Sequence, residues 1–254
     1  MSDAQLGSVD DDDPRRRLAA ALRPLITLTV ANTFEDGVLD EAAERLEDVV
    51  RTLTERAGPK RPRRQPDISR HAQDFFPTSP IMGMANPIAP PVKVQVVEGP
   101  EGGPREIRAE AWFDWAYEGP PTCVHGGVIA ETFDEMLGAA NMVANNPGMT
   151  GTLTVRYRKP TPLRTPLWIE ARCLGRDGRK IRTWAGIYHD GVLTAEADGL
   201  FIEVGPERFL AIAEGNAENA DPVVLAAMRA EAQRIGAAAD VPGDAHQPAE
   251  PSSD

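Results

Sequence analysis

Apolar and polar positions alternate in a way that separates a sheet-forming stretch from helical flanks. Val92, Val94 and Val96 alternate with Lys93 and Gln95, which predicts a strand. Glu98 to Pro104 reads as a turn, and Glu106 to Tyr117 as a second strand rich in aromatics. The period then changes. Ile129, Phe133, Met136, Leu137, Ala140 and Ala144 share one face of a helix predicted from about Gly127 to Asn145, ended by Asn146-Pro147-Gly148. Alternation returns in Thr150 to Arg158, Leu167 to Leu174, Ile181 to Tyr188 and Val192 to Val204. Asp177-Gly178 and Asp190-Gly191 are hairpin turns between the last three. The predicted order is two strands, one long helix and an antiparallel meander of four strands, an α+β arrangement.

The flanks are different. Residues 1–17 read as a disordered acidic tail. Residues 18–74 read as a helical N-terminal extension followed by a basic, proline-rich linker. Leu18 to Val30 is apolar but interrupted by Pro24. Asp40 to Ala57 is amphipathic, with Ala43, Leu46, Val50 and Leu53 recurring at helical spacing before Gly58-Pro59. Lys60, Arg61, Arg63 and Arg64 stand among prolines as in an extended linker. Residues 75–205 form the main domain, and Phe75, Phe76, Ile81 and Met82 are expected to pack on a neighbour. Residues 206–236 read as C-terminal helices, with Asp221-Pro222 as a helix start and Leu225, Met228 and Ile235 as one stripe. Residues 237–254 read as a second disordered tail.

A net charge of −12 over 254 residues argues against nucleic acid as a partner. Two cysteines, Cys123 and Cys173, are too few for a disulfide framework and suit a reducing compartment. No apolar run reaches membrane-spanning length, and no apolar signal core follows the N-terminal acids and arginines. A cytoplasmic location is expected.

Chemistry concentrates at the start of the long helix. Val124-His125-Gly126-Gly127 opens it, and Asp134 stands on the flank of its apolar stripe. Free N–H groups at a helix start favour negative charge. A carboxylate in an apolar helix needs a partner or a role. Around Asp134, at helical spacings, stand Gly127, Ala130, Glu131, Gly138 and Asn141, most of them small enough to let another surface approach. Gly126 and Asp134 are about 12 Å apart along a helix axis. A base and an oxyanion donor must both reach one reacting centre. The spacing therefore favours two helices, one from each chain of a dimer. From the residues alone, His125-Gly126-Gly127 reads equally well as a structural turn.

These residues resemble the hotdog-fold acyl-CoA thioesterases of the phenylacetate-pathway, or PaaI-like, type. The similarity is greatest to the branch containing the mammalian mitochondrial thioesterase superfamily members. It rests on Tyr117-Glu118-Gly119-Pro120-Pro121, on Val124 to Gly127, on Asp134 nine residues after the histidine, on Thr150 sixteen further on, and on VRYRKPTP from Val155 to Pro162. It spans roughly residues 80 to 205. The resemblance implies a hotdog fold, a long central helix wrapped by an antiparallel sheet, assembled as a homodimer or a dimer of dimers. It implies hydrolysis of a fatty or aromatic acyl-CoA with no cofactor and no metal. Asp134 would be general base or nucleophile. The Gly126 amide of the other chain would polarise the carbonyl, His125 would shape the turn, and Thr150 would orient water or the carboxylate. Where smaller members of the family place Asn or Gln, six residues before the histidine, this chain has Gly119.

Substrate-binding expectations are Gly127, by close backbone approach, and Arg158 and Lys159, whose charges suit the phosphates of coenzyme A. Solvent-facing strand positions explain the last two as well. Cys123 beside His125 could suggest a Cys–His nucleophile, but chain neighbours do not thereby meet in space. His71, His125, His189 and His246 lack metal-ligand spacing. Trp112, Trp115, Trp168 and Trp184 are expected in the core. Two alternatives use the same fold. One is a non-catalytic acyl-CoA-binding or interaction protein. The other is an enoyl-CoA hydratase, disfavoured because no histidine follows Asp134 at a short helical spacing.

Overall fold

In the computed structural model, which describes residues 13–58, 76–90, 92–215 and scattered helical positions between 222 and 230, six strands form one antiparallel sheet. They are β1 (Lys93–Val97), β2 (Glu106–Ala111), β3 (Gly148–Tyr157), β4 (Leu167–Asp177), β5 (Lys180–His189) and β6 (Val192–Glu203), in the order β1-β2-β4-β5-β6-β3. The meander β4-β5-β6 follows from its turns. Asp190 and Gly191 both take positive φ, 48° and 76°, the backbone that closes a two-residue hairpin and that Asp-Gly favours. The β4–β5 turn falls on Gly178 and Arg179, one residue later than expected.

Three helices accompany the sheet in the first compact unit: α1 (Pro14–Ala31), α2 (Val38–Glu55) and α3 (Gly126–Val143). Helix α3 packs on one face of the sheet and touches β2, β3, β4, β5 and β6. Its Ile129, Phe133, Met136, Leu137 and Ala140 are buried against Ile107, Ile169, Ile181, Ile187, Ala195 and Phe201. This is the predicted stripe on the predicted sheet. Val204 to Gly215, including α4 (Pro206–Gly215), belong to a second compact unit.

Three expectations are corrected. Helix α1 starts at Pro14, inside the stretch 1–17 read as tail, because Asp13 accepts the Arg15 amide at 2.9 Å and Pro14 suits the first helical turn. It also runs through Pro24 to Ala31. The second strand stops at Ala111 rather than reaching Tyr117. There Asp114 accepts the Trp115 amide and opens a short 3-10 turn, Trp115–Tyr117. Of the four tryptophans only Trp115, half-buried beneath Arg164, packs against the core; Trp112 and Trp168 are exposed and Trp184 is half-buried under Arg172. Helix α2 spans the stretch read as an amphipathic helix and buries none of its residues. The 1–12 tail, the basic run Lys60 to Arg64, His71, Ile235 and the 237–254 tail lie outside the described residues.

Ile81 and Met82 do pack into the core, with Ser79 Oγ accepting both of their amides. The following loop is tied to α1. Arg23 donates to the carbonyls of Met84, Asn86 and Ala89, and Tyr117 Oη donates to Ile88 O at 2.8 Å. Burial pushes the Tyr117 phenol up to about 12, opposed in part by the Arg23 charge, and burial lowers Arg23. Helix α1 rests on this same 3-10 turn, from which the chain enters α3.

Candidate functional site

The loop before α3 is held by its own backbone. Gly119 donates to Cys123 O, Cys123 to Pro120 O, and Val124 to Thr161 O, while Glu118 Oε1 accepts the Thr122 amide. His125 N–H donates to Tyr117 O at 2.8 Å, so the helix start is fixed against the 3-10 turn. A Cβ on Gly119 would fall 2.7 Å from His125 Cα. Gly119 is therefore required for the loop to close on His125 in this way.

His125 is the N-cap of α3, and its Nδ1 accepts the Gly127 amide at 3.0 Å. The Gly127 N–H expected to face substrate is thus engaged within the loop. The Gly126 N–H has no acceptor among the described residues. It stands at the positive end of an 18-residue helix. Gly126 O accepts from Tyr157 Oη at 2.8 Å, and the Tyr157 ring lies over Gly126.

Asp134, two turns along α3, is exposed. Thr150 Oγ1 donates to its Oδ1 at 2.7 Å. The chain reaches this pairing through a bulge. Thr150 pairs with Phe201 and Thr152 with Leu200, so Gly151 is an extra residue. Without it, strict alternation from Leu153, Val155 and Tyr157 on the α3 side would turn Thr150 outward. With it, Thr150 stands opposite the buried Phe201 and faces the helix.

The structure therefore brings Asp134 and Thr150 together. It places His125, Gly126 and Gly127 at the other end of the same face. Arg158 is elsewhere. It donates through Nε to Glu196 Oε1 at 3.0 Å, and Trp184 donates to the other oxygen of that carboxylate. These two hydrogen bonds, Arg158 first, hold Glu196 below its ordinary range. Lys159 is exposed and has no ion-pair partner among the described residues. Cys123 is a free, half-buried thiol in a bridge to Pro162, with no hydrogen bond to His125. Among the described residues no group of three His, Cys, Asp or Glu is placed to hold a metal, and no helix is long and apolar enough to cross a membrane.

Two residues escaped the sequence reading. Tyr157 was read only as a strand position, although its spacing from Thr150 on the same strand is a signal once the bulge is known. Asn141 was noted as a neighbour of Asp134 by spacing, without a role.

One further feature belongs to the site. β3 is one of the two edge strands of the sheet, and none of its residues is buried. Asp134 and Glu131 on α3, and Met149 and Tyr157 on β3, are exposed along this border.

Comparison with known proteins gives three results. Residues 122–195 match the Thioesterase superfamily model. Acyl-coenzyme A thioesterase THEM4 of Xenopus laevis is 38% identical over 91 residues, 35% of this chain and 41% of that protein. The Mus musculus protein of the same name is 32% identical over 93 residues, 36% and 40% of the two chains. The chain thus spans about two fifths of the length of these relatives. A crystal structure described as a thioesterase superfamily protein superposes with a TM-score of 0.66 at 31% identity, over 77% of this chain and 94% of that one.

Proposed function

The chain belongs to the thioesterase superfamily, and from that premise we propose that it hydrolyses acyl-CoA thioesters to the free acid and coenzyme A. The observation that carries this reading is the 2.7 Å hydrogen bond from Thr150 to the exposed Asp134 carboxylate, on the same helix whose first amide is unoccupied. Thr150 fixes one oxygen of the carboxylate and leaves the other to act. That oxygen takes a proton from water, whose hydroxide adds to the thioester carbonyl carbon. The carbonyl oxygen becomes an oxyanion and meets a Gly126 N–H at a helix start. Collapse expels the coenzyme A thiolate, which receives the proton from Asp134. Direct attack by Asp134 would give an acyl-carboxylate anhydride instead; where water then cleaves it at the Asp134 carbonyl, heavy oxygen enters Asp134 after a single turnover in labelled water, which the water-activation route never gives.

One chain does not supply both groups. Eight helical residues put Gly126 about 12 Å from Asp134. A second copy lying against α3 and the open edge of β3 would bring its own Gly126 to Asp134. The small residues Gly127, Ala130 and Gly138 permit that approach. The working unit is accordingly a homodimer with two shared sites, acting on soluble acyl-CoA. Lys159 and, after leaving Glu196, Arg158 are the cations available to its phosphates.

The test is release of free thiol from short, long and aromatic acyl-CoAs by the wild type and Asp134→Ala. The wild type turns over at least one of them, and the variant, folded, loses at least about a hundredfold. Retention of most activity removes Asp134 from its role. Tight binding without turnover by the wild type favours a non-catalytic acyl-CoA-binding protein.

A further inference from the structure

The Gly126 N–H can stabilise an oxyanion only if it already points the right way when charge develops. Its surroundings work against that. Gly126 and Gly127 open α3, and neither has a Cβ to restrict its backbone. The first turn of a helix also lacks partners within the helix for its N–H groups. Something outside the helix must fix this turn.

Three hydrogen bonds surround the free N–H. His125 N–H donates to Tyr117 O at 2.8 Å, and Gly127 N–H donates to His125 Nδ1 at 3.0 Å. The third comes from the sheet: Tyr157 Oη donates to Gly126 O at 2.8 Å. The phenol also stands against the glycine. A Cβ built on Gly126 would lie 3.3 Å from Oη, 3.4 Å from Cζ and 3.5 Å from Cε1. Tyr157 thus meets Gly126 both at its carbonyl and beside its Cα.

Core packing does not account for this tyrosine. Leu153 and Val155, on the same side of β3, are partly buried against the core. Tyr157 is next in the alternation and is 55% exposed. A charged side chain would suit an exposed position on an edge strand at least as well. What tyrosine adds is a hydroxyl within reach of a main-chain carbonyl.

Resting on the hydrolytic reading, we propose that Tyr157 is a positioning residue for the oxyanion donor. Its hydroxyl pins the first peptide of α3 to β3, so that the Gly126 N–H keeps one direction. The same bond polarises the peptide whose N–H is capped by His125, so tie and cap strengthen each other. Strand β3 then serves both halves of the chemistry. Thr150 orients the Asp134 carboxylate, and Tyr157 orients the donor turn. Tyr157 takes no proton and touches no substrate; it acts through Gly126.

The experiment uses Tyr157→Phe in the full chain, which keeps the exposed ring and removes the hydroxyl. Wild type and variant are compared in turnover of the acyl-CoA that the wild type hydrolyses best. They are also compared in binding of two non-hydrolysable analogues of it. One is a thioether, which has no carbonyl. The other is a trifluoromethyl ketone, which adds water or a carboxylate to form a tetrahedral oxyanion. In the variant kcat falls by about tenfold to a hundredfold. KM and thioether affinity stay near the wild-type values, and ketone affinity falls by about the same factor as kcat. Tyr157→Leu, which removes the ring as well, loses at least as much. Wild-type kcat and ketone affinity in Tyr157→Phe overturn the inference and leave the hydrolytic reading standing. A loss shared equally by KM and thioether affinity also overturns it, because the hydroxyl then meets the substrate itself. A folded wild type that turns over no acyl-CoA, and binds the ketone no more tightly than the thioether, removes the hydrolytic reading and this inference with it.

Discussion

At the scale of single residues, the pairing of Thr150 with Asp134 makes a prediction separable from the loss of Asp134 itself. Thr150→Val keeps the shape of the side chain and removes only the hydroxyl. The carboxylate loses the donor at 2.7 Å that fixes its orientation. Hydrogen bonds to charged groups contribute about 1.5–3 kcal/mol, so kcat falls by about tenfold to a hundredfold. KM for acyl-CoA changes little, because the hydroxyl acts on the carboxylate and not on the substrate. Steady-state kinetics check this; a change confined to KM would place Thr150 against the substrate instead. How much of the site was legible varies by residue. Asp134 and the glycine pair stood out because a carboxylate and two glycines are unusual in an apolar helix. The side-chain orientation of Thr150 was hidden, because it depends on one extra residue, Gly151, that alternation alone does not count. The His125 cap was hidden too, since an imidazole accepting its own helix's second amide has no spacing signature.

At the scale of elements, α2 and α3 carry comparable apolar stripes in the sequence and have opposite fates. Leu46, Val49, Val50 and Leu53 on α2 are all exposed, whereas Phe133, Met136 and Leu137 on α3 are fully buried. Periodicity reports that a helix has a face, not that the protomer supplies something to cover it. The strands were more legible because β4, β5 and β6 are joined by tight turns, so each strand's partner is its neighbour in sequence. The failed strand end at Tyr117 has a local cause. Asp114 offers the backbone a side-chain acceptor that ends the ladder, and aromatic content alone does not reveal it. The contrast between the helices is measurable. Leu137→Ala removes a side chain packed beneath the sheet and destabilises by about 2–5 kcal/mol. Leu46→Ala on α2 changes stability by less than about 0.5 kcal/mol. Urea unfolding of the two variants checks this, and a large loss from Leu46→Ala would show that α2 is covered in solution.

At the scale of the whole molecule, the proposed mechanism, with Gly126 about 12 Å from Asp134 along one helix, requires that a lone chain hold two half-sites rather than one complete site. The arrangement can be tested by asking whether two inactive chains repair each other. Asp134→Ala lacks the base and keeps the donor. Gly126→Pro lacks the donor N–H and keeps the base; proline suits the first helical position, so α3 still starts there. A Cβ at 126 comes 3.3 Å from Tyr157 Oη, which requires only a small shift of that exposed ring. In a mixed dimer, one shared site joins both defects and is dead. The other joins Asp134 of one chain to Gly126 of its partner and is intact. Random mixing makes half the dimers mixed, each with one working site of two, so co-refolded variants recover about a quarter of the wild-type rate. If base and donor acted within one chain, every site in the mixture would carry one defect and no activity would return. Recovery that appears only after subunit exchange, at constant total protein, locates the reacting centre between two copies of α3.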